Sequence, residues 1–191
     1  MTEFPEDFMN EEIKRVPPGS DHLVCTPWML GERCPVSSTT TRSTLFNINM
    51  EHTRAHMLRA VYEGIAYNLR WIMENYEKDY GFDCNNFRII GGGALNDPWM
   101  EIIADITGKS FSVPKDPRNS GAVGAAVVAL IGLGELSGFE AVKEFVEADR
   151  HFKPNPDNKK IYDELFQDYK NVYNSLKGAY DTANGKRFQG V

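Results

Sequence analysis

The sequence predicts an α/β fold, because short apolar strands and helices alternate between residues 84 and 133. The segments "FRII" (87–90) and "SFSV" (110–113) have the composition of strands, and "WMEIIADIT" between them is typical of a helix. A strand, a helix and a second strand in this order favour a parallel pair with a right-handed crossover.

The composition is that of a soluble globular protein with one domain. Of the 191 residues, 41% are hydrophobic and 25% are charged. The net charge of -6 argues against a general surface for nucleic acid or for an anionic membrane. The three cysteines form no CxxC pair, the acidic start lacks the apolar core of a signal peptide, and the longest apolar run is too short to span a bilayer. We therefore expect a cytoplasmic protein with reduced thiols.

The first half of the chain is predicted to contain one long helix. Residues 1–22 are expected to be loop-rich, because they are polar and contain "VPPGSD". Short strands are predicted at 23–25 and 44–49, and a helix at 52–78. Its apolar face is formed by Leu58, Val61, Tyr62, Ile65, Leu69, Ile72, Met73 and Tyr76. Because Gly64 costs this helix roughly 1 kcal/mol relative to Ala, we expect it to pack closely against a neighbour.

Three glycines, Gly91–Gly93, separate the strand "FRII" from the next helix. Asn96 or Asp97 can cap that helix, and Pro98 would occupy its first position, where a missing N–H is harmless. Gly108 is the expected end of the helix.

The last third of the chain is predicted to contain two helices. The helix "GAVGAAVVALIG" (121–132) consists of small and apolar residues, so we expect it to pack closely against the element that carries the glycines. Residues 151–157 are predicted to be extended. The final helix starts after Pro156, and its apolar stripe consists of Ile161, Leu165, Tyr169, Val172, Leu176 and Tyr180.

The glycine turn is the main candidate for chemistry. Open α/β sheets bind ligands at the carboxyl ends of their strands, where glycines permit positive φ and leave no Cβ to block a ligand. The helix start adds free N–H groups that suit a phosphate. A tight turn without a ligand accounts for the same residues, and neither GxGxxG nor a Walker loop is present. Both interpretations stay open at this point.

Other polar residues have structural explanations beside the functional ones. Capping accounts for Asn96 and Asp97, although either could also reach toward a base or a ribose. Arg33, in the loop segment "GERCP", is either solvated beside its neighbouring Glu or directed at an anionic ligand or a facing domain. His52 and His56 share one helix face, but without an HExxH pattern they indicate surface or capping histidines. We predict no metal site.

A resemblance to a known family is carried by the region around the glycines. It contains a strand, a GGGA turn (Gly91–Ala94), a helix with the pattern W-x-x-x-x-A-D-x-x-G from Trp99, a strand that ends at Pro114, and the small-residue helix from Gly121. In this order the features resemble the C-terminal lobe of the FGGY carbohydrate kinases, especially the xylulose kinase-like branch.

Three further segments extend the resemblance to nearly the whole chain after about residue 20. They are "PWMLGERCP", "STLFNINMEHTRAHMLRAVYEGIAYNLR" and "PNPDNKKIYDELFQDYKNVYNSLK". Two positions depart from the family pattern. Asn47 stands where the family usually has Gly, and Asp97 stands where glycerol kinase-like members carry Asn.

The resemblance implies the C-terminal part of an actin-like ATPase or ribonuclease H-like lobe with long flanking helices. Residues 1–22 would be a loop-rich segment and residues 23–191 the lobe, with the N-terminal lobe and the start of the second lobe outside this sequence. It also implies ATP and Mg²⁺ as cofactors. Gly92, Gly93 and Ala94 would contact the nucleotide, with Asn96 or Asp97 near the base. The catalytic base is expected outside this chain.

The implied function is ATP-dependent phosphorylation of a ketose such as xylulose. The partners would be the sugar and the remaining kinase lobe, and a homodimer is left open. This chain alone is expected to be inactive, which a phosphorylation assay with D-xylulose tests. The alternatives are an orphan actin-like nucleotide-binding or interaction module, or a kinase for gluconate, ribulose or glycerol. By resemblance, "GERCP" favours the xylulose or gluconate branches over glycerol.

Overall fold

The computed structural model describes residues 6–81 and 84–185. The helices are α1 (Glu6–Lys14), α2 (Arg54–Tyr80), α3 (Asp97–Thr107), α4 (Ser120–Gly132), α5 (Val142–Phe145) and α6 (Lys159–Asn184). The strands are β1 (Val24–Thr26), β2 (Thr44–Phe46), β3 (Asn86–Arg88), β4 (Ser110–Pro114) and β5 (Ala148–Phe152). The predicted α/β fold is confirmed. None of the helices described has the length and apolar composition needed to cross a membrane.

The larger sheet has the strand order β3-β4-β5. β3 lies parallel to β4, with Phe87 opposite Phe111, and α3 forms the crossover between them. The predicted parallel pair is therefore confirmed. β5 runs antiparallel to β4, with Phe152 opposite Phe111. The sequence predicted an extended segment only from residue 151, so most of β5 was missed. β1 and β2 form a separate antiparallel pair.

Helix α2 packs through a narrow point at Gly64. A Cβ atom at this position would lie 2.1 Å from the carbonyl oxygen of Cys25 in β1, so the predicted close approach is confirmed. The helix begins after Thr53, whose side chain forms a capping box with that of His56. It ends at Gly81, which has a φ of 65°.

The prediction of a loop-rich start is wrong over residues 6–14, which form α1. Ile13 is fully buried in the main hydrophobic core. The Arg59 guanidinium donates hydrogen bonds to the carbonyl oxygens of Ile13 and Val16, both at 3.0 Å. These bonds satisfy acceptors at the end of the helix. Contacts with α2 therefore stabilise α1, although its short, acidic sequence does not predict a helix.

The predicted packing of α4 against the glycine turn is wrong for the part of the chain described here. A Cβ atom at Gly121, Gly124 or Gly132 would meet nothing within 4 Å. Val128 is 57% exposed, and the main contacts of α4 are with α5 and the 3₁₀ turn Phe139–Ala141. α4 contains no charged residue, so its exposed face is apolar. The residues that the structure describes do not cover this face.

A buried polar cluster joins three parts of the fold, and we call it the Glu63 cluster. The Glu63 carboxylate is 1% exposed and accepts four hydrogen bonds. The donors are the Gly19 N–H (2.9 Å), the Ser20 hydroxyl (2.8 Å), the Arg59 Nε–H (2.8 Å) and the Tyr162 hydroxyl (3.0 Å). The cluster therefore ties the segment after α1 to α2 and α6.

Candidate functional site

The carboxyl ends of β3 and β4 meet at a crevice. The Gly91 N–H donates to the carbonyl oxygen of Pro117 at 2.7 Å, which joins the glycine turn to the loop after β4. Gly91 has a φ of 100°, a conformation that favours glycine. The chain then forms a 3₁₀ turn, Gly92–Leu95, before α3 begins. The crevice has a volume of about 220 Å³ and is lined by Met9, Tyr62, Gly92, Gly93, Asn96, Trp99 and Arg118.

The two lining glycines have different roles. A Cβ atom on Gly92 would have its nearest neighbour, the Arg118 Nε, at 3.9 Å, so Gly92 borders open space in the crevice. A Cβ atom on Gly93 would lie 2.6 Å from Cζ3 of Trp99. Gly93 is therefore required for the packing of the indole, whereas Gly92 leaves main-chain atoms accessible from the crevice.

We expect Gly93→Ala to lower the free energy of unfolding by about 1–3 kcal/mol, because the new methyl group forces the Trp99 ring to move. Thermal unfolding followed by circular dichroism measures this loss. Gly92→Ala is the matched control, since its methyl group makes no contact closer than 3.9 Å, and we expect a change within about 0.5 kcal/mol. Equal losses in both variants would contradict the assignment of Gly93 as a packing residue.

Asn96 caps α3, as one of the two sequence alternatives predicted. Its Oδ1 accepts the Trp99 N–H at 3.0 Å, and its Nδ2 donates to the Asn10 side chain on α1 at 2.6 Å. Asp97, the other alternative, instead forms an ion pair with Arg150 on β5 and does not line the crevice. Only Asn96 of the two therefore borders the candidate site.

Ala94 does not line this crevice but lines a neighbouring cavity of about 590 Å³, which Gly93 and Trp99 also border. The residue is 1% exposed, and its carbonyl oxygen accepts a hydrogen bond from the Arg150 Nη2 at 2.9 Å. The structure thus brings Gly92, Gly93 and Asn96 together at one surface and places Ala94 and Asp97 beside Arg150. Nucleotide contacts by these five residues stay predictions.

Several residues at the crevice were not predicted from the sequence. Arg118 is the charged member of the lining, and it follows β4 in the loop that Gly91 contacts. Because parallel strands end at the same edge of a sheet, the loop after the second strand was a place to search for it. Tyr62 packs edge-on against Trp99, with ring centres 5.3 Å apart. Met9 was not predicted at the crevice because its segment was not predicted to be helical.

The histidines behave as capping residues, as predicted. His56 Nδ1 accepts the Thr53 N–H at 3.2 Å, and its Nε2 lies 2.9 Å from the Asp21 carboxylate. Within residues 6–81 and 84–185, no group of three or more His, Cys, Asp or Glu side chains could hold a metal ion.

A crevice at the carboxyl ends of parallel strands, beside a glycine turn and a helix start, is the arrangement of ligand-binding α/β proteins. The sequence profile described as "FGGY family of carbohydrate kinases, C-terminal domain" matches residues 5–133. The chain belongs to this family, and the fold is that of its actin-like ATPase domains.

The comparisons also give similar individual proteins. The chain is 32% identical over 166 residues to the xylulose kinase of Bacillus subtilis. The aligned region covers 86% of this chain and 33% of that protein. It is 29% identical over 176 residues to the gluconokinase of Bacillus subtilis, and this aligned region covers 92% of this chain and 34% of that protein. The structure of a ligand-bound xylulose kinase from Lactobacillus acidophilus matches with a TM-score of 0.83 and 27% identity, covering 92% of this chain and 36% of that one. The chain thus spans about a third of the length of these relatives.

Proposed function

We propose that this chain, with residues 23–191 as its lobe, forms the nucleotide-binding C-terminal part of an ATP-dependent kinase that phosphorylates a ketose such as xylulose. The observation that carries the proposal is the open main chain at Gly92, which faces Arg118 across the crevice. A glycine there lets a ligand approach the backbone, and the guanidinium attracts a phosphate.

The crevice suits a part of a nucleotide. Its volume of about 220 Å³ is below the roughly 300–1,000 Å³ of sites that enclose a whole ligand, so it fits one part of the nucleotide, such as the base or the ribose, with a phosphate directed toward Arg118. Tyr62 and Trp99 supply aromatic surface, and Asn96 supplies a side-chain amide at the same wall. ATP would provide the phosphoryl group that the sugar hydroxyl accepts. The role of the present residues is to bind and orient the nucleotide.

The remaining chemistry is proposed to come from residues outside this sequence, namely the catalytic base and the sugar contacts. Mg²⁺ would be held mainly by the phosphate oxygens of ATP, as is usual for this ion. We favour xylulose because of the similarity to a xylulose kinase, and gluconate is the alternative because a gluconokinase is nearly as similar.

The proposal predicts that the chain binds ATP and that Gly92→Ala and Arg118→Ala each weaken this binding about tenfold, or about 1.4 kcal/mol. The methyl group would occupy the space of the ligand, and the second change would remove the positive charge. Isothermal titration calorimetry with ATP and Mg²⁺ measures the affinity. Lys177→Ala is the control, because Lys177 is an exposed cation on α6 outside the crevice.

Two results would contradict the nucleotide site. Either the wild-type chain binds no ATP, or both crevice variants bind it as tightly as Lys177→Ala does. The first result would favour the alternative of an interaction module that has kept the fold without the ligand.

A further inference from the structure

Arg150 on β5 holds the end of the glycine turn through two contacts. Its Nη2 donates to the carbonyl oxygen of Ala94 at 2.9 Å, and its Nη1 pairs with the carboxylate of Asp97, the first residue of α3. Ala94 is 1% exposed, so its carbonyl oxygen would lose its partner without gaining water if the guanidinium were removed. Arg150 does not line the crevice, so any effect it has on a ligand must act through the turn.

An irregularity in the sheet directs Arg150 to this position. The pairing of β4 with β5 shifts between Val113 and Pro114, which leaves Asp149 as a bulge directly before Arg150. Val113 lies opposite Arg150 and is fully buried. Because opposite residues of paired strands share a face, the Arg150 side chain lies on the α3 side of the sheet. β-bulges are common beside functional sites, where they redirect a side chain.

The stability of the fold alone gives little reason for a cation at this place. The N-terminus of a helix carries a partial positive charge, so an arginine beside the start of α3 is unfavourable by itself. Asp97 offsets this repulsion, but its side chain is 53% exposed, and an ion pair exposed to this degree contributes little to stability. The bond to the buried Ala94 carbonyl is therefore the contact with the larger structural effect.

The glycine turn depends on such contacts from outside, because its own hydrogen bonds are long. The Ala94 N–H donates to the Gly91 carbonyl oxygen at 3.2 Å. The Asn96 N–H donates to the Gly93 carbonyl oxygen, also at 3.2 Å. Both distances are at the upper limit of a normal N–H···O bond. The loop after β4 holds the start of the turn at 2.7 Å, and Arg150 holds its end.

We propose that Arg150 is a positioning residue for the nucleotide, because it fixes the 3₁₀ turn Gly92–Leu95 in the conformation that leaves the main chain of Gly92 open to the crevice. This inference rests on the proposed function. Without the guanidinium, the Ala94 carbonyl group would turn toward water, and the residues on either side of it would turn with it. The crevice would then lose the wall that Gly92 and Asn96 form.

The test measures the ligand and the turn separately. In calorimetric titration with ATP and Mg²⁺, Arg150→Ala should weaken binding about tenfold. In the chain without ligand, amide hydrogen exchange at Ala94 and Asn96 should become about tenfold faster, because the bonds of the turn open more often. Arg150→Lys keeps the charge and a donor, so both effects should be smaller than in Arg150→Ala.

Lys109→Ala is the control for a general loss of stability. It removes another partly buried ion pair, that of Lys109 with Glu77, just beyond the opposite end of α3. Lys109 does not line the crevice, so its replacement should leave ATP binding and exchange at the two turn amides unchanged. A merely structural role of Arg150 would instead make the two alanine variants behave alike.

Two results would overturn the inference. One is unchanged exchange at Ala94 and Asn96 in Arg150→Ala, which would identify any loss of binding as a direct contact between Arg150 and the nucleotide. The other is ATP binding by Arg150→Ala as tight as by Lys109→Ala. The exchange measurement needs no ligand, so it separates this inference from the proposed function. A wild-type chain that binds no ATP contradicts the nucleotide site, whereas faster exchange in Arg150→Ala still supports the hold of Arg150 on the turn.

Discussion

Glu63→Ala is expected to lower the free energy of unfolding by about 3–5 kcal/mol, because it leaves the buried Arg59 guanidinium without its carboxylate. Arg59 would keep its bonds to the Tyr162 hydroxyl and to the carbonyl groups at the end of α1. It would lose the 2.8 Å ion pair with Glu63. Urea unfolding followed by circular dichroism measures the loss.

The turn after α1 also depends on Glu63. Ser20, Asp21 and His22 have φ values of 50°, 48° and 65°, and each non-glycine residue in this region costs roughly 1–2 kcal/mol. The Ser20 hydroxyl and the preceding Gly19 N–H are held by the Glu63 carboxylate. We therefore expect the turn to relax in Glu63→Ala and to release the end of α1.

Burial raises the pKa of the Glu63 carboxyl, while Arg59 and the donors at Gly19 and Ser20 act in the opposite direction. Glu63→Gln also leaves Arg59 without a carboxylate, but its amide oxygen still accepts hydrogen bonds from these donors, so its loss should be smaller than that of Glu63→Ala. Glu74→Ala is the control on the same helix, because its pair with Arg70 is 42% exposed on the Glu74 side and contributes at most about 1 kcal/mol. A loss in Glu63→Ala no larger than in Glu74→Ala would contradict the role of the cluster.

Gly64→Ala is expected to destabilise the protein by about 3 kcal/mol, although alanine is the better helix former by about 1 kcal/mol. Its methyl group would stand 2.1 Å from the Cys25 carbonyl oxygen. That atom belongs to the backbone of a buried strand, so neither partner can move away by a simple side-chain rotation.

Gly178→Ala in α6 is the matched control for this substitution. A Cβ atom at Gly178 would meet nothing within 4 Å, so helix propensity should raise stability by up to about 1 kcal/mol. The two Gly→Ala changes thus have opposite expected signs in the same thermal unfolding experiment. A stabilising effect at Gly64 would disprove the close approach of α2 and β1.

Local patterns in the sequence predicted the elements whose stability has local causes. The three-and-four spacing predicted α2, and the glycines with Asn96 predicted the turn and the cap before α3. The conformation of Asn47 was not predicted. It adopts a φ of 69°, which Asn tolerates better than most residues.

Contacts between distant residues were beyond the reach of these patterns. α1 depends on Arg59, whose bonds to Ile13 and Val16 no local spacing reveals. In the candidate site, Asp97 pairs with Arg150 outside the crevice, and Arg150 lies 53 positions further along the chain. Arg118 was missed because a single loop arginine has no periodic signal. Only the sheet geometry brings it opposite Gly92.

The Glu63 cluster has a consequence for the order in which the molecule assembles. It joins residues 19 and 20 to residue 162, and such sequence-distant contacts form only after a long loop has closed. The first and last helices should therefore open and close as one cooperative unit, instead of fraying separately. Met9 on α1 lines the crevice, and Asn10 on the same helix accepts a hydrogen bond from the Asn96 side chain. A ligand that contacts this wall of the crevice therefore binds only after the C-terminal helix has docked.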